Sequence, residues 1–186
     1  MMREMKVTVL LVAGVLTLGA CGSRPEPEPP APPPPPAAPP APTADTAAER
    51  MAREAAARAA AQREIERKRG VLTEMVFFDY DMAEIRSDAR SALDAKVQIL
   101  REEPTVRLQI QGHADERGST EYNMALGLRR AEAVKAYFVN FGLSADRFTT
   151  ISFGEERPMV RDSNESAWAR NRRAEFSITA GLSAMQ

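Results

Sequence analysis

The spacing of hydrophobic and polar positions changes several times along this chain, and each change marks an element. Val7 to Leu18 is one apolar run, too short to span a bilayer comfortably. Arg24 to Thr43 has no periodicity. Ala44 to Arg69 is built from Ala, Arg and Glu, with Met51 and Ile65 its only larger apolar side chains. Glu49/Arg53 and Glu54/Arg58 stand four apart in it, so the pattern predicts a solvated helix that Gly70 ends.

A denser pattern begins at Val71. Glu74 to Phe78 reads as a first strand. Leu93, Val97 and Leu100 form the stripe of a helix with Ser87 as its expected N-cap and Pro104 just past its end. Val106 to Gln111 alternates apolar and polar residues, the mark of a half-buried strand. Ala125, Leu128, Ala131, Val134, Phe138 and Phe141 then fall on one face of a long helix that Ser119 caps and Gly142 closes. Phe148 to Phe153 predicts a third strand, followed by Gly154 and a loop through Pro158. Ser166 to Asn171 is a short helical approach. Ala174, Phe176 and Ile178 alternate with Glu175, Ser177 and Thr179 in a last strand. The order β-α-β-α-β-(α)-β predicts an α/β, two-layer domain with helices on one face of a mixed sheet.

Composition divides the 186 residues into four stretches. Residues 1–20 read as a signal peptide, with Arg3 and Lys6 before the apolar core. Residues 21–43 hold 12 of the 14 prolines and read as an extended spacer, reaching on the order of 60 Å at ~3.1 Å per residue. Residues 44–70 are the helical stalk, and 71–186 the packed domain. That domain carries 15 Lys+Arg against 18 Asp+Glu, and the whole chain has net charge -1, so no basic face for nucleic acid is expected. Cys21 is the single cysteine, which excludes an intramolecular disulfide. Leu18-Gly19-Ala20-Cys21 is similar to a lipobox, and that resemblance implies acyl chains on Cys21. Gly22 follows Cys21 in place of an inner-membrane-retaining Asp, so outer-membrane delivery is the expectation.

The chemistry gathers in Gln109 to Ala131. The strand is expected to turn at Gly112 and to expose His113, Asp115, Glu116 and Arg117 in a polar loop before the Ser119 cap. Polar groups collected where a strand ends and a helix begins commonly form a ligand site. Asp115 and Arg130 would give it one charge of each sign, which suits a zwitterion. Both are expected at the surface.

The string G-H-A-D-E-R-G, followed by E-Y-N and L-G-x-R-R-A, resembles the signature of OmpA-like peptidoglycan-binding domains, in the version carried by peptidoglycan-associated lipoproteins. Phe78, Asp81 and Ile85 also match the family's opening F-x-x-D-x-x-x-I. The resemblance implies that Asp115 and Arg130 grip meso-diaminopimelate of the peptidoglycan stem peptide. It extends the site to Asn123, Asp79, Tyr80 and Arg173. Strand parity, with Ala174 and Phe176 inward, would instead turn Arg172 to the core face unless the strand begins after Arg173.

On this resemblance the chain is a non-enzymatic lipoprotein, anchored to the outer membrane and bound to the wall without a cofactor. It would act in the Tol-Pal system in envelope constriction at cell division, with TolB and other Tol proteins as partners. An OmpA-like lipoprotein outside Tol-Pal is the alternative. A peptidoglycan hydrolase using His113 and Asp115 is a second class, and a protein-interaction hub without wall affinity a third. A metal site is not expected, because His113 is the sole histidine and has no cysteine near it. Trp168 is expected to be a packing residue.

Overall fold

The computed structural model describes residues 46–182. Cys21, the apolar run from Val7, and the proline-rich segment lie outside the described residues. The first helix, α1 (Ala47–Thr73), starts at a capping box in which Thr46 and Glu49 satisfy each other's backbone N–H groups. Most of its length is exposed, and Glu54 pairs with Arg58 at 3.9 Å.

Gly70 does not end this helix. It runs on to Thr73, and its last turn belongs to the core, with Leu72 fully buried. Interrupting a helix with glycine costs about 1 kcal/mol. Burying a leucine returns roughly 1.5–3 kcal/mol, so tertiary contact outweighs local propensity here. Lys68 adds ion pairs to Glu102 (3.2 Å) and Glu103 (2.7 Å) at the end of the next helix.

The sheet is mixed, with the order β1-β4-β2-β3. The strands are β1 (Val76–Phe77), β2 (Arg107–His113), β3 (Phe148–Gly154) and β4 (Arg173–Ala180). β2 and β3 are parallel neighbours, while β4 runs antiparallel to both β1 and β2. Two parallel adjacent strands need a long crossover, and α3 (Thr120–Asn140) supplies it. Leu108, Ile110, Phe148, Ala174 and Phe176 share one face with the core residues of α2 (Ser87–Glu102) and α3. The longer helices therefore pack on one side of the sheet, as the pattern predicts.

Three local expectations are corrected. The N-cap of α2 is Arg86, not Ser87, and no side chain bonds the cap. Arg86 instead clasps Asp88 through two bonds of 3.0 and 2.8 Å, which holds an acid in the first turn. On α3, Ala131, Val134 and Phe138 are buried as expected, but towards its start the buried face is rotated: Leu126, Gly127 and Arg130 point inward, whereas Ala125, Leu128 and, at its C-cap, Phe141 are exposed. β2 also continues through Gly112 to His113 rather than ending in a turn there. Gly112 is needed for closeness, not for a turn. A Cβ on it would sit 1.8 Å from the carbonyl oxygen of Gly127, so the paired glycines bring α3 against β2.

Under the end of α1, Lys96 is fully buried, donates to the carbonyl of Val71 at 2.5 Å, and lies 4.6 Å from the ring centre of Phe176. Burial pushes its ammonium down to about 8, with Glu74 opposing. A shift of that size corresponds to about 3 kcal/mol of cost at neutral pH, against about 2 kcal/mol for a charged hydrogen bond. Lys96→Met should therefore stabilise the protein by about 1 kcal/mol at pH 7. Between pH 8 and 10.5 the unfolded chain binds more protons than the folded one, so wild-type stability rises there and the variant's advantage should shrink. Denaturant midpoints at pH 7 and 10 are the check. A less stable variant at pH 7 would show that the hydrogen bond outweighs the buried charge.

Candidate functional site

The site begins where β2 ends. The register between β2 and β3 shifts at Gly112/His113, where His113 pairs with Gly154 instead of Phe153. Gly154 adopts φ 48, and its carbonyl accepts the N–H of Ala114 at 2.8 Å. This bulge re-aims the chain so that Asp115 turns inward. Asp115 is buried, at 4% exposure, which corrects the expectation of a surface residue.

Its carboxylate is heavily bonded. Arg117 approaches edge-on through Nε (3.0 Å) and Nη2 (2.8 Å), and also donates its backbone N–H at 3.2 Å. Arg172 adds Nη1 at 3.2 Å. Burial pushes the Asp115 carboxyl up, but the bonds from Arg117 and Arg172 outweigh it, and the net shift is downward. Asp115 is an anion at neutral pH.

Arg130 lies one turn beyond Gly127 on α3 and is fully buried, again against the surface expectation. It donates Nε to the carbonyl of Met82 (2.8 Å), Nη1 to that of His113 (2.7 Å) and Nη2 to that of Asp79 (3.1 Å). Burial lowers its pKa to about 10, with the Asp115 charge opposing, so it stays protonated. Asn123, one turn before Gly127, is also buried and donates its amide to Glu155 at 2.5 Å.

These side chains line one cleft of about 120 Å³. Asp115, Asn123 and Arg130 form its deeper wall, while Tyr80, Asp81, Arg117 and Tyr122 stand at the more exposed side. Asp81 has φ 55, uncommon outside glycine, and its carboxylate accepts the phenol of Tyr122. Tyr80 is exposed and stacks on Arg117, 4.0 Å from ring centre to guanidinium.

Two candidates lie elsewhere. The Asp79 side chain turns to Arg86 at 3.1 Å, and only its backbone carbonyl reaches Arg130. Arg173 opens β4 and bonds Glu175 and the carbonyl of Arg157. Arg172, just before the strand, reaches the cleft residue Asp115, as parity indicates. His113 is buried and stacks on Phe153, with both ring nitrogens unpartnered, and burial pushes it down to about 4. The His113–Asp115 pair a hydrolase would use is therefore not formed. Trp168 is half-buried; its ring stacks on Arg117 at 4.2 Å and its N–H donates to Glu116 at 3.0 Å, so it packs against the site itself. In the sequence Asp81 and Tyr122 stand out only as members of the F-x-x-D and E-Y-N patterns, with nothing to assign either to the cleft. The tyrosine carried no signal beyond adjoining Asn123.

Because Arg130 is buried with all three nitrogens bonded, its loss should unsettle the fold. Arg130→Ala strands backbone carbonyls and should cost about 3 kcal/mol or more, and Arg130→Lys, able to keep fewer bonds, about 2 kcal/mol. Urea midpoints of the full-length protein give the test. An unchanged midpoint for the alanine variant would mean that the three bonds carry no stability.

The OmpA family profile matches residues 77–172. Over 99 residues the chain is 48% identical to the peptidoglycan-associated lipoprotein of Rhizobium meliloti, covering 53% of this chain and 56% of that protein. The counterpart in Haemophilus influenzae is 42% identical over 99 residues, covering 53% and 65%. The chain thus spans between half and two thirds of the length of these relatives. The crystal structure of the peptidoglycan-associated lipoprotein from Burkholderia pseudomallei superposes with TM-score 0.55 at 36% identity, covering 56% of this chain and 88% of that one. The C-terminal domain of Helicobacter pylori MotB superposes with TM-score 0.53 at 18% identity, covering 57% and 84%, a likeness of fold alone. Together with the mixed sheet and the glycine-flanked loop, these matches place the chain in the OmpA family.

Proposed function

We propose that this chain is an outer-membrane lipoprotein whose OmpA domain binds peptidoglycan non-covalently through meso-diaminopimelate. Acyl chains on Cys21 would hold one end, and the cleft would hold the wall. In that role it serves as the peptidoglycan-associated lipoprotein of a Tol-Pal system, with TolB and other Tol proteins as partners in constriction at division. The names of its relatives support the role, and the cleft supplies the chemistry.

One observation carries the reading: a buried carboxylate and a buried guanidinium line the same small cleft. The side chain of diaminopimelate ends in an ammonium and a carboxylate on one carbon. Asp115 is an anion able to accept from the ammonium. A guanidinium has five N–H donors, and Arg130 uses three of them on carbonyls. One N–H on each terminal nitrogen is left for a ligand carboxylate, in the paired geometry such groups favour. Asn123, whose amide both donates and accepts, and Tyr80 complete the contact surface.

Co-sedimentation of the full-length protein with purified sacculi tests the site. Asp115→Asn keeps the shape and removes the charge, and should lower retention at least about tenfold, the loss of roughly 1.4 kcal/mol or more. Undiminished retention would move the wall contact elsewhere on the protein.

Selectivity follows from Arg130. A lysine-type stem peptide lacks the terminal carboxylate and leaves two N–H groups facing a partly desolvated cleft. The loss of a charged hydrogen bond there should cost about 1.5–3 kcal/mol, or roughly 10- to 150-fold in affinity. Calorimetry with matched diaminopimelate and lysine muropeptides reads this directly. Equal affinities would remove Arg130 from the ligand contacts.

A further inference from the structure

The cation seat at Asp115 is already taken. Arg117 fills it with two side-chain bonds of 3.0 and 2.8 Å, and its guanidinium lies between the rings of Tyr80 (4.0 Å) and Trp168 (4.2 Å). With its own backbone N–H and Arg172 counted, the carboxylate meets four donors. An arriving ammonium finds no open acceptor direction of comparable quality. It also meets the positive charges of Arg117, Arg172 and Arg130 gathered around Asp115.

Of the two arginines on Asp115, only one is free to leave. The Arg172 side chain is 7% exposed and is fixed by the carbonyl of Phe78 (3.2 Å) and by Glu165 (2.8 Å). The Arg117 side chain is 28% exposed, and its remaining terminal nitrogen already stands 3.5 Å from the second oxygen of Glu165. A modest rotation would carry Arg117 from Asp115 to Glu165 and shift its guanidinium off its present seat on the ring of Trp168. The local charge is then conserved, because one guanidinium leaves the carboxylate as one ammonium arrives.

We infer that Arg117 is an internal cation occupying the ligand's ammonium position, and that the ligand binds by displacing it toward Glu165. This rests on the diaminopimelate reading above. Arg117 is thereby a specificity-determining residue. A ligand bearing an ammonium alone gains little over the arginine it replaces, because the exchange is nearly even. One that also brings a carboxylate to Arg130 gains a contact that Arg117 cannot make. The closed seat rejects simple amines and admits the zwitterion.

The test uses full-length protein in detergent, titrated with a meso-diaminopimelate muropeptide. Arg117→Gln removes the competing cation and should bind at least about fivefold tighter, with Arg117→Lys between it and wild type. Trp168 is the only tryptophan, so its emission reports the stacked guanidinium directly. Ligand should change that emission in the wild type and leave it unchanged in Arg117→Gln. Binding that is equal or weaker in Arg117→Gln, with wild-type binding still dependent on Asp115, overturns the displacement and leaves the site reading intact. Wild-type binding that ignores Asp115→Asn overturns both.

Discussion

The structure around the cleft depends on Arg130 holding three backbone carbonyls. Two of them, from Asp79 and Met82, lie in the segment after β1, and the third, from His113, closes β2. Among the described residues no other side chain joins these three points, so one guanidinium on α3 ties the cleft's walls together. The reach is possible because Gly112 and Gly127 let the helix lie against the strand. A methyl group at either glycine would push the helix away and draw Arg130 from its acceptors. The same side chain that stabilises the site is the one proposed to read the ligand.

A buried arginine of this kind is not in itself a sign of function. Arg147 makes an equivalent clamp, donating to the carbonyls of Val106, Leu100 and Glu103 at 2.8–2.9 Å, and there it satisfies the open end of α2. What separates the two is the neighbourhood. Both bond backbone carbonyls, but Arg130 also lines a cleft that it shares with an ionised Asp115. A single carboxylate among several guanidiniums is costly to bury, and the hydrogen bonds that keep it ionised also keep it rigid. That rigidity gives the cleft a fixed place for positive charge.

Much of this was legible in the sequence, and the failures have physical causes. The alternation of Val106 to Gln111 and of Ala174 to Thr179 located two strands, and Pro104 and Ser119 located helix ends. The face of α3 was read correctly at Ala131, Val134 and Phe138 but misjudged nearer its start, because the pattern counts only apolar residues. Its inner face carries Asn123, Gly127 and Arg130, none of which scores as hydrophobic. Asp115 looked exposed for the same reason, since a charged residue beside glycines is usually a surface turn. Only its partners Arg117 and Arg172, the second far along the chain, reveal that it is satisfied inside. Gly70 misled in the opposite direction, because a stop signal is weak when Leu72 beyond it has a core to enter.

That last turn of α1 bears on how load would pass through the protein. If one end is held by lipid and the cleft by the wall, tension enters the domain along α1. The helix is fastened by Leu72 in the core and by Lys68 on Glu102 and Glu103, so it pulls first on α2 and the sheet. β4, which α1 touches, is preceded by Arg172, and Arg172 grips Asp115. The end of α1 and the site are thus joined through packed strands and a buried ion pair. Along such a path, tension on α1 meets the core contacts at the helix end before it reaches Arg172 and its hold on Asp115.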